Sequence, residues 1–377
     1  MDLPSSLGGA HHAVLPRSGP LVIFFSGTNK LDGQFDFWGY AQRSATSCIL
    51  LNNGSNLWYQ TGVSGFGNSV RGTAELLRQW ASALAATEVI CIGASMGGSA
   101  AVLYGSLIDA RVLAFSFEAH IRHAGSRSIK YIPKDYSLAY PDLKPLIRQA
   151  AKPITSLLGG DDIIDVAEAS RLQDLPNLTL MCLQGVDHGV PRHLRSTGRL
   201  DHYLDCFVTG SSLPHLSNMD DDLSTPGYAD SVAAAHMSLL DKRGEMALIS
   251  AEHAVKLRPH AFAPRLLAGR ALLMLKKPSE SLEHLGLAAS LDSSYEARLL
   301  MGRALRGLRR NAQAADFHAL TLARFPGEHR VIYDRALALW SAGEKSAARQ
   351  VLIKAIELAP KAAAYSDRLR AWDSAKS

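Results

Sequence analysis

Ser95 stands at the centre of Gly93-Ala94-Ser95-Met96-Gly97-Gly98. A Val-, Ile- and Cys-rich run, Glu88 to Ile92, precedes it and reads as a strand; a small-residue run, Ser99 to Leu107, follows and reads as a helix. A serine in a Gly-x-Ser-x-Gly turn between such elements sits on a tight, strained corner that lifts its hydroxyl clear of the sheet. Gly93 and Gly97 flank it because side chains there would collide with the neighbouring strand and helix. The amide of Met96 would open the helix, where its N–H can face a developing oxyanion. The chemistry this permits is attack by a hydroxyl on an acyl carbonyl, which needs a base and a group to orient the base.

The elements around this turn alternate. Leu21 to Phe25 is a buried strand that stops at Ser26-Gly27-Thr28-Asn29, and Thr46 to Asn52 is the next. The loop Asn53 to Gly62 carries two adjacent aromatics, Trp58 and Tyr59, candidate substrate contacts that could stack on a sugar or line an acyl pocket; the alternative is that they cover a core. Ser69 to Ala85 is an amphipathic helix, and Arg111 to Phe117 another strand. Residues 118–150, with His120, His123 and three prolines, form an irregular insertion that could serve as a lid. Pro153 to Leu158 ends in Gly159-Gly160-Asp161-Asp162-Ile163-Ile164, with Asp165 next; an Asp here could also cap the helix that follows. Asn177 to Leu183 reads as the last strand and runs into Gln184-Gly185-Val186-Asp187-His188-Gly189.

These turns together resemble the α/β-hydrolase family over about residues 20–208. The resemblance implies a doubly wound, mostly parallel α/β sheet with Ser95 as nucleophile and His188 as general base. The Gly-x-x-Asp turn selects Asp162 as the acid, with Asp161 as the alternative and Asp165 third. It also implies an oxyanion hole from the amides of Met96 and of Thr28 or Asn29. The Ser-Gly-Thr-Asn loop departs from the His-Gly-Gly loop of the best-known lipase and esterase branches. The Trp58-Tyr59-x-x-Gly loop and the Phe25-Ser26-Gly27-Thr28 turn are similar to those of bacterial α/β-hydrolase-fold proteins of surface-polysaccharide modification, some of which transfer or remove O-acetyl groups. The implied substrate is a small-molecule or glycan ester, and no metal or organic cofactor is implied.

With 377 residues, the chain should hold two or three domains, and 47% hydrophobic residues suffice to fill their cores. Nothing approaches about 18 uninterrupted apolar residues, so no membrane span is expected. Met1 to Pro20 lacks a basic segment followed by an apolar core, so it does not read as a secretory signal. Cys48, Cys91, Cys182 and Cys206 stand singly in apolar stretches without metal-ligand spacing, which suits a reducing, cytoplasmic location.

Thr209 to Asp230, with Asp220-Asp221-Asp222 inside it, reads as a linker between a first domain, 1–208, and a helical domain, 231–377. Small residues recur there at Ala235, Ala268, Gly302 and Ala336, and repeat ends at Pro259, Asp292, Pro326 and Pro360. That period resembles tetratricopeptide repeats, whose helix pairs must stack to bury their apolar faces and so build a concave surface. Residues 1–230 carry 17 Lys and Arg against 21 Asp and Glu, whereas 231–377 carry 23 against 14. The positive charge therefore belongs to the tail, which implies a protein partner or an anionic polymer there, with Arg303, Arg306, Arg309 and Arg310 as candidate contacts. The rival reading is a scaffold that works through its repeats alone.

Overall fold

The computed structural model describes residues 7–220, 222–291 and 295–374, so Asp221 and Asp292 lie outside the described residues. The chain divides into two compact units, Met1–Ala233 and Ala234–Ser377.

Among the described residues the first unit has eight strands: β1 (His12–Leu15), β2 (Leu21–Phe25), β3 (Ser47–Leu51), β4 (Val89–Ala94), β5 (Arg111–Phe115), β6 (Ile154–Gly159), β7 (Leu178–Leu183) and β8 (Met219–Asp220). They form one sheet in the order β1-β3-β2-β4-β5-β6-β7-β8. The six inner strands are parallel; β1 and β8 close the edges antiparallel. Neither edge strand has a strong sequence signal, because both are short and β8 lies inside the polar stretch 209–230. That stretch is therefore part of the sheet rather than only a connection, with the Gln184 amide donating to the Asn218 carbonyl.

Helices cover both faces. They are α1 (Trp38–Arg43), α2 (Val70–Ala83), α3 (Met96–Leu107), α4 (Lys144–Gln149), α5 (Ile163–Ser170), α6 (Val190–Ser196) and α7 (Leu200–Thr209). Alternate residues of β2 go to opposite cores: Leu21, Ile23 and Phe25 join Leu77, Trp80 and Tyr104, while Val22 and Phe24 join Tyr40, Leu194 and Tyr203. Burial on both sides is why these strands read as unbroken apolar runs rather than alternating ones. After β2 the chain crosses to β3 on one side, then returns to β4 on the other. Such a reversal opens a crevice at the carboxyl ends of the two strands, and Thr28 and Ser95 follow those ends.

Among the described residues the second unit is helical: α8 (Tyr228–Leu240, which begins in the first unit), α9 (Gly244–Leu257), α10 (Phe262–Met274), α11 (Pro278–Leu291), α12 (Glu296–Gly307), α13 (Asn311–Arg324), α14 (His329–Ser341), α15 (Lys345–Leu358) and α16 (Ala363–Ser374). From α9 onward each helix packs on its chain neighbours, and α12 also touches α10 and α14, the stacking expected of a helical repeat. The recurring small residues mark the close crossings. Ala235, Ala268 and Ala336 are fully buried, and a Cβ on Gly302 would lie 2.2 Å from the His318 ring. Two of the four arginines have a partner inside this unit. Arg303 donates to the buried Asp334 at 2.7 Å and Arg306 approaches it at 3.7 Å, leaving Arg309 and Arg310 exposed.

Candidate active site

Ser95 joins β4 to α3 at φ 55° and ψ −121°, a strained conformation for a residue with a side chain. Such a geometry costs about 1–3 kcal/mol and persists only where the surroundings enforce it. They do so here by crowding. A Cβ on Gly93 would fall 2.0 Å from the Gly97 carbonyl, and one on Gly97 would fall 2.1 Å from the Phe25 carbonyl. The Ser95 amide is fixed by the Phe115 carbonyl at 2.8 Å, which ties the turn to the neighbouring strand.

His188 Nε2 lies 2.8 Å from Ser95 Oγ, and its Nδ1 lies 2.8 Å from Asp165 Oδ1. A carboxylate can only accept, so Nδ1 carries the proton and Nε2 is left to accept from the serine hydroxyl. The partner of His188 is thus Asp165 and not Asp162, which corrects the choice drawn from the Gly-x-x-Asp spacing. Asp162 is the N-cap of α5 and accepts from the amides of Ile164 and Asp165, each at 3.0 Å. Asp161 accepts from the Gly185 amide at 3.1 Å and so braces the loop that carries the histidine. Asp165 sits in the first turn of α5, where side chains tilt back toward the helix start and here reach the strand ends. The signal available in the sequence was the pair Asp162-x-x-Asp165, a cap followed by an acid three residues on.

A residue that sequence reasoning missed completes the cluster. The Arg127 guanidinium forms an ion pair with Asp162 and lies 3.6 Å from Asp165. It arrives on the insertion 118–150, whose Ile121, Ile132, Leu143 and Ile147 are buried in the core. The buried Glu118 carboxylate holds that segment by accepting from the Arg127 amide and, at 3.1 Å, from the Ser128 amide. Burial raises the Glu118 pKa, and hydrogen bonds from Ser128 and the 127–128 backbone offset part of this. Glu168 accepts from the Ala119 and His120 amides, so the segment is anchored at a second point.

The cluster's charges are coupled. Burial alone would push the Asp165 pKa up, but the His188 imidazole and the Arg127 guanidinium outweigh it and hold the carboxyl below its ordinary value. Burial pulls the His188 pKa down, and the Asp165 carboxylate overcomes this to leave it raised; Arg127 works against that rise. Asp162, Asp165 and His188 are close enough to suggest a metal site. Arg127 already supplies the cation between the two carboxylates, and both His188 nitrogens have partners.

Arg127→Met is therefore expected to move the acid limb of the kcat/KM profile to higher pH. Losing the guanidinium removes a charge that lowers the His188 pKa, and an imidazole must be neutral to accept a proton. Turnover at the optimum should fall about 10- to 100-fold, the range typical of a group that orients others without touching substrate. A pH–rate series on both proteins checks this, and an unmoved or lowered limb contradicts it.

The remaining candidates separate. Met96 is the first residue of α3, so its amide has no partner within the helix. The Gly27 amide donates to Asp36 and the Asn29 amide to Asn56, whereas the Thr28 amide between them has no hydrogen-bond partner among the described residues. Trp58 and Tyr59 are not surface contacts. They are 1% and 0% exposed, and Tyr59 Oη lies 3.0 Å from the Ser26 and Leu51 carbonyls. Both residues have positive φ, which turns the loop inward over the core. Tyr59 thus supports the start of the 26–29 loop from beneath.

The strand order and the serine turn define an α/β-hydrolase fold for the first unit, followed by tetratricopeptide-like helical repeats. No family model matches the sequence, and comparison with curated proteins finds no match. Among solved structures, the capsule O-acetyltransferase of Neisseria meningitidis serogroup A is similar at 14% identity, covering 52% of this chain and 90% of its own, with a TM-score of 0.40. An acylaminoacyl peptidase of Pyrococcus horikoshii is similar at 11% identity over 55% of this chain and 40% of its own, TM-score 0.40. MamA from Desulfovibrio magneticus RS-1 is similar at 18% identity over 40% of this chain and 86% of its own, TM-score 0.36. Among the described residues, no helix is long and apolar enough to cross a membrane.

Proposed function

We propose that this chain is a serine-dependent carboxylic ester hydrolase or acyltransferase. The observation that carries the reading is the continuous relay from Ser95 Oγ through His188 to Asp165, with both links at 2.8 Å. His188 Nε2 takes the hydroxyl proton as Oγ bonds to the acyl carbon. The tetrahedral oxyanion accepts from the Met96 and Thr28 amides. Its collapse breaks the ester C–O bond, and His188 returns the proton to the departing alcohol. Water then releases the acyl group in a hydrolase; a sugar hydroxyl takes it in a transferase. Asp165 keeps the imidazole in the right tautomer and stabilises its protonated form.

We place the substrate among O-acyl carbohydrates, which the likeness of the Phe25-Ser26-Gly27-Thr28 turn to polysaccharide-modifying proteins supports. The helical unit is the partner-binding part of this reading, with Arg309 and Arg310 suited to an acidic protein surface. A cytoplasmic location is in keeping with four free cysteines.

The test is covalent labelling of the full-length protein with a fluorophosphonate probe. One adduct is expected, mapped by peptide mass spectrometry to Ser95. A protein that stays unlabelled while folded, or is labelled at another serine, overturns the proposal.

A further inference from the structure

A cavity of about 580 Å³ opens between the loop after β2 and the segment that joins α6 to α7. One wall carries Phe35, Asp36 and Trp38; the other carries Arg195. Both walls are tied through the chain to elements of the candidate active site. Asp36 accepts the Gly27 amide at 2.8 Å, next to the Thr28 amide, and α6 begins two residues after His188. The volume suits a sugar unit or two, since small-molecule pockets span about 300–1,000 Å³.

The lining has two features that the fold itself does not need. Trp38 is 37% exposed, with Phe35 beside it at 6.0 Å between ring centroids, and both line the cavity. Leaving such faces in water brings no gain, whereas a sugar ring laid on them buries apolar area. The second feature is charge. Lys30 pairs with Asp36 at 2.7 Å and Arg43 with Asp201. Arg195 is exposed, and its guanidinium has no ion-pair or hydrogen-bond partner among the described residues. The cavity is therefore lined by an aromatic pair, its rings inclined at 30°, and by one uncommitted planar cation, a set suited to a ring bearing a carboxylate or phosphate.

We propose that this cavity is the carbohydrate subsite and that it takes an anionic sugar unit, with Trp38 under the ring and Arg195 on its acidic group. The proposal rests on the ester-hydrolase or acyltransferase reading only for its link to Ser95; the binding itself needs no chemistry.

The test measures binding of glucuronic acid, glucose 6-phosphate and glucose to the full-length protein by ligand-observed NMR. The first two arms distinguish carboxylate from phosphate. At least one acidic sugar should bind more tightly than glucose, and Arg195→Gln should weaken that sugar about tenfold while leaving glucose little changed. Trp38→Ala should weaken all three. Both positions are solvent-facing, and thermal melts of the variants show whether the fold is kept. Equal binding of glucose and both acidic sugars, no binding by any, or an Arg195→Gln protein that binds like the wild type overturns the subsite. The link to Ser95 is read separately: the bound acidic sugar should slow fluorophosphonate labelling of the wild type and not of Arg195→Gln. Binding without protection overturns the link. A protein that binds the sugar yet never takes the probe counts against the serine chemistry and leaves the subsite standing.

Discussion

Ser95→Ala is expected to lower hydrolysis of an activated ester such as nitrophenyl acetate on the order of 10⁶-fold and to abolish fluorophosphonate labelling. The fold should persist. The turn is held by backbone, through the Ser95 amide on the Phe115 carbonyl and the close approach of Gly97 to Phe25, and none of this uses the hydroxyl. Ala at φ 55° is no more strained than Ser, and the hydroxyl's hydrogen bond is to His188, which is not among the contacts that hold the turn. Some rate over water should remain, because amide donors still stabilise the oxyanion for direct attack by water. Ester hydrolysis and a thermal melt on the same preparations check both halves. Undiminished labelling of the variant would remove Ser95 from the chemistry.

Asp165→Asn and Asp162→Asn should differ sharply. Asn at 165 is expected to cost about 10⁴-fold in kcat, because its amide can donate to Nδ1 and so favour the wrong tautomer. The surviving activity should have its acid limb at lower pH. Loss of the carboxylate removes the charge that raises the His188 pKa, so the imidazole stays neutral to more acidic pH. This is opposite in sign to the shift expected for Arg127→Met, which makes the two a matched pair. Asn at 162 keeps a good helix cap and gives up the ion pair with Arg127. Its effect on kcat should stay within about tenfold, comparable to a supporting interaction. Parallel pH–rate profiles decide; a crippled Asp162→Asn beside a mild Asp165→Asn would refute the geometry at His188.

Features that depend on local chemistry are legible in the amino-acid order alone. The apolar run of β2, the Gly-x-Ser-x-Gly turn and the glycine-flanked His188 are each set within a few residues, because a tight turn demands glycine and a strand buried on both faces demands an unbroken apolar run. The period of Ala235, Ala268, Gly302 and Ala336 was legible for the same reason, since close helix crossings admit only small side chains. Which of Asp161, Asp162 and Asp165 meets a histidine more than twenty residues away is fixed by the packing of the folded chain. All three follow one strand, and the choice turns on where each side chain points once α5 is seated. That packing also decides that Trp58 and Tyr59 belong to the core, since aromatic type alone does not say whether a loop folds inward. Arg127 was hidden most completely. Its position beside Asp162 and Asp165 comes from Glu118 gripping an irregular segment, and pairing between residues so far apart in the chain leaves no local pattern to read.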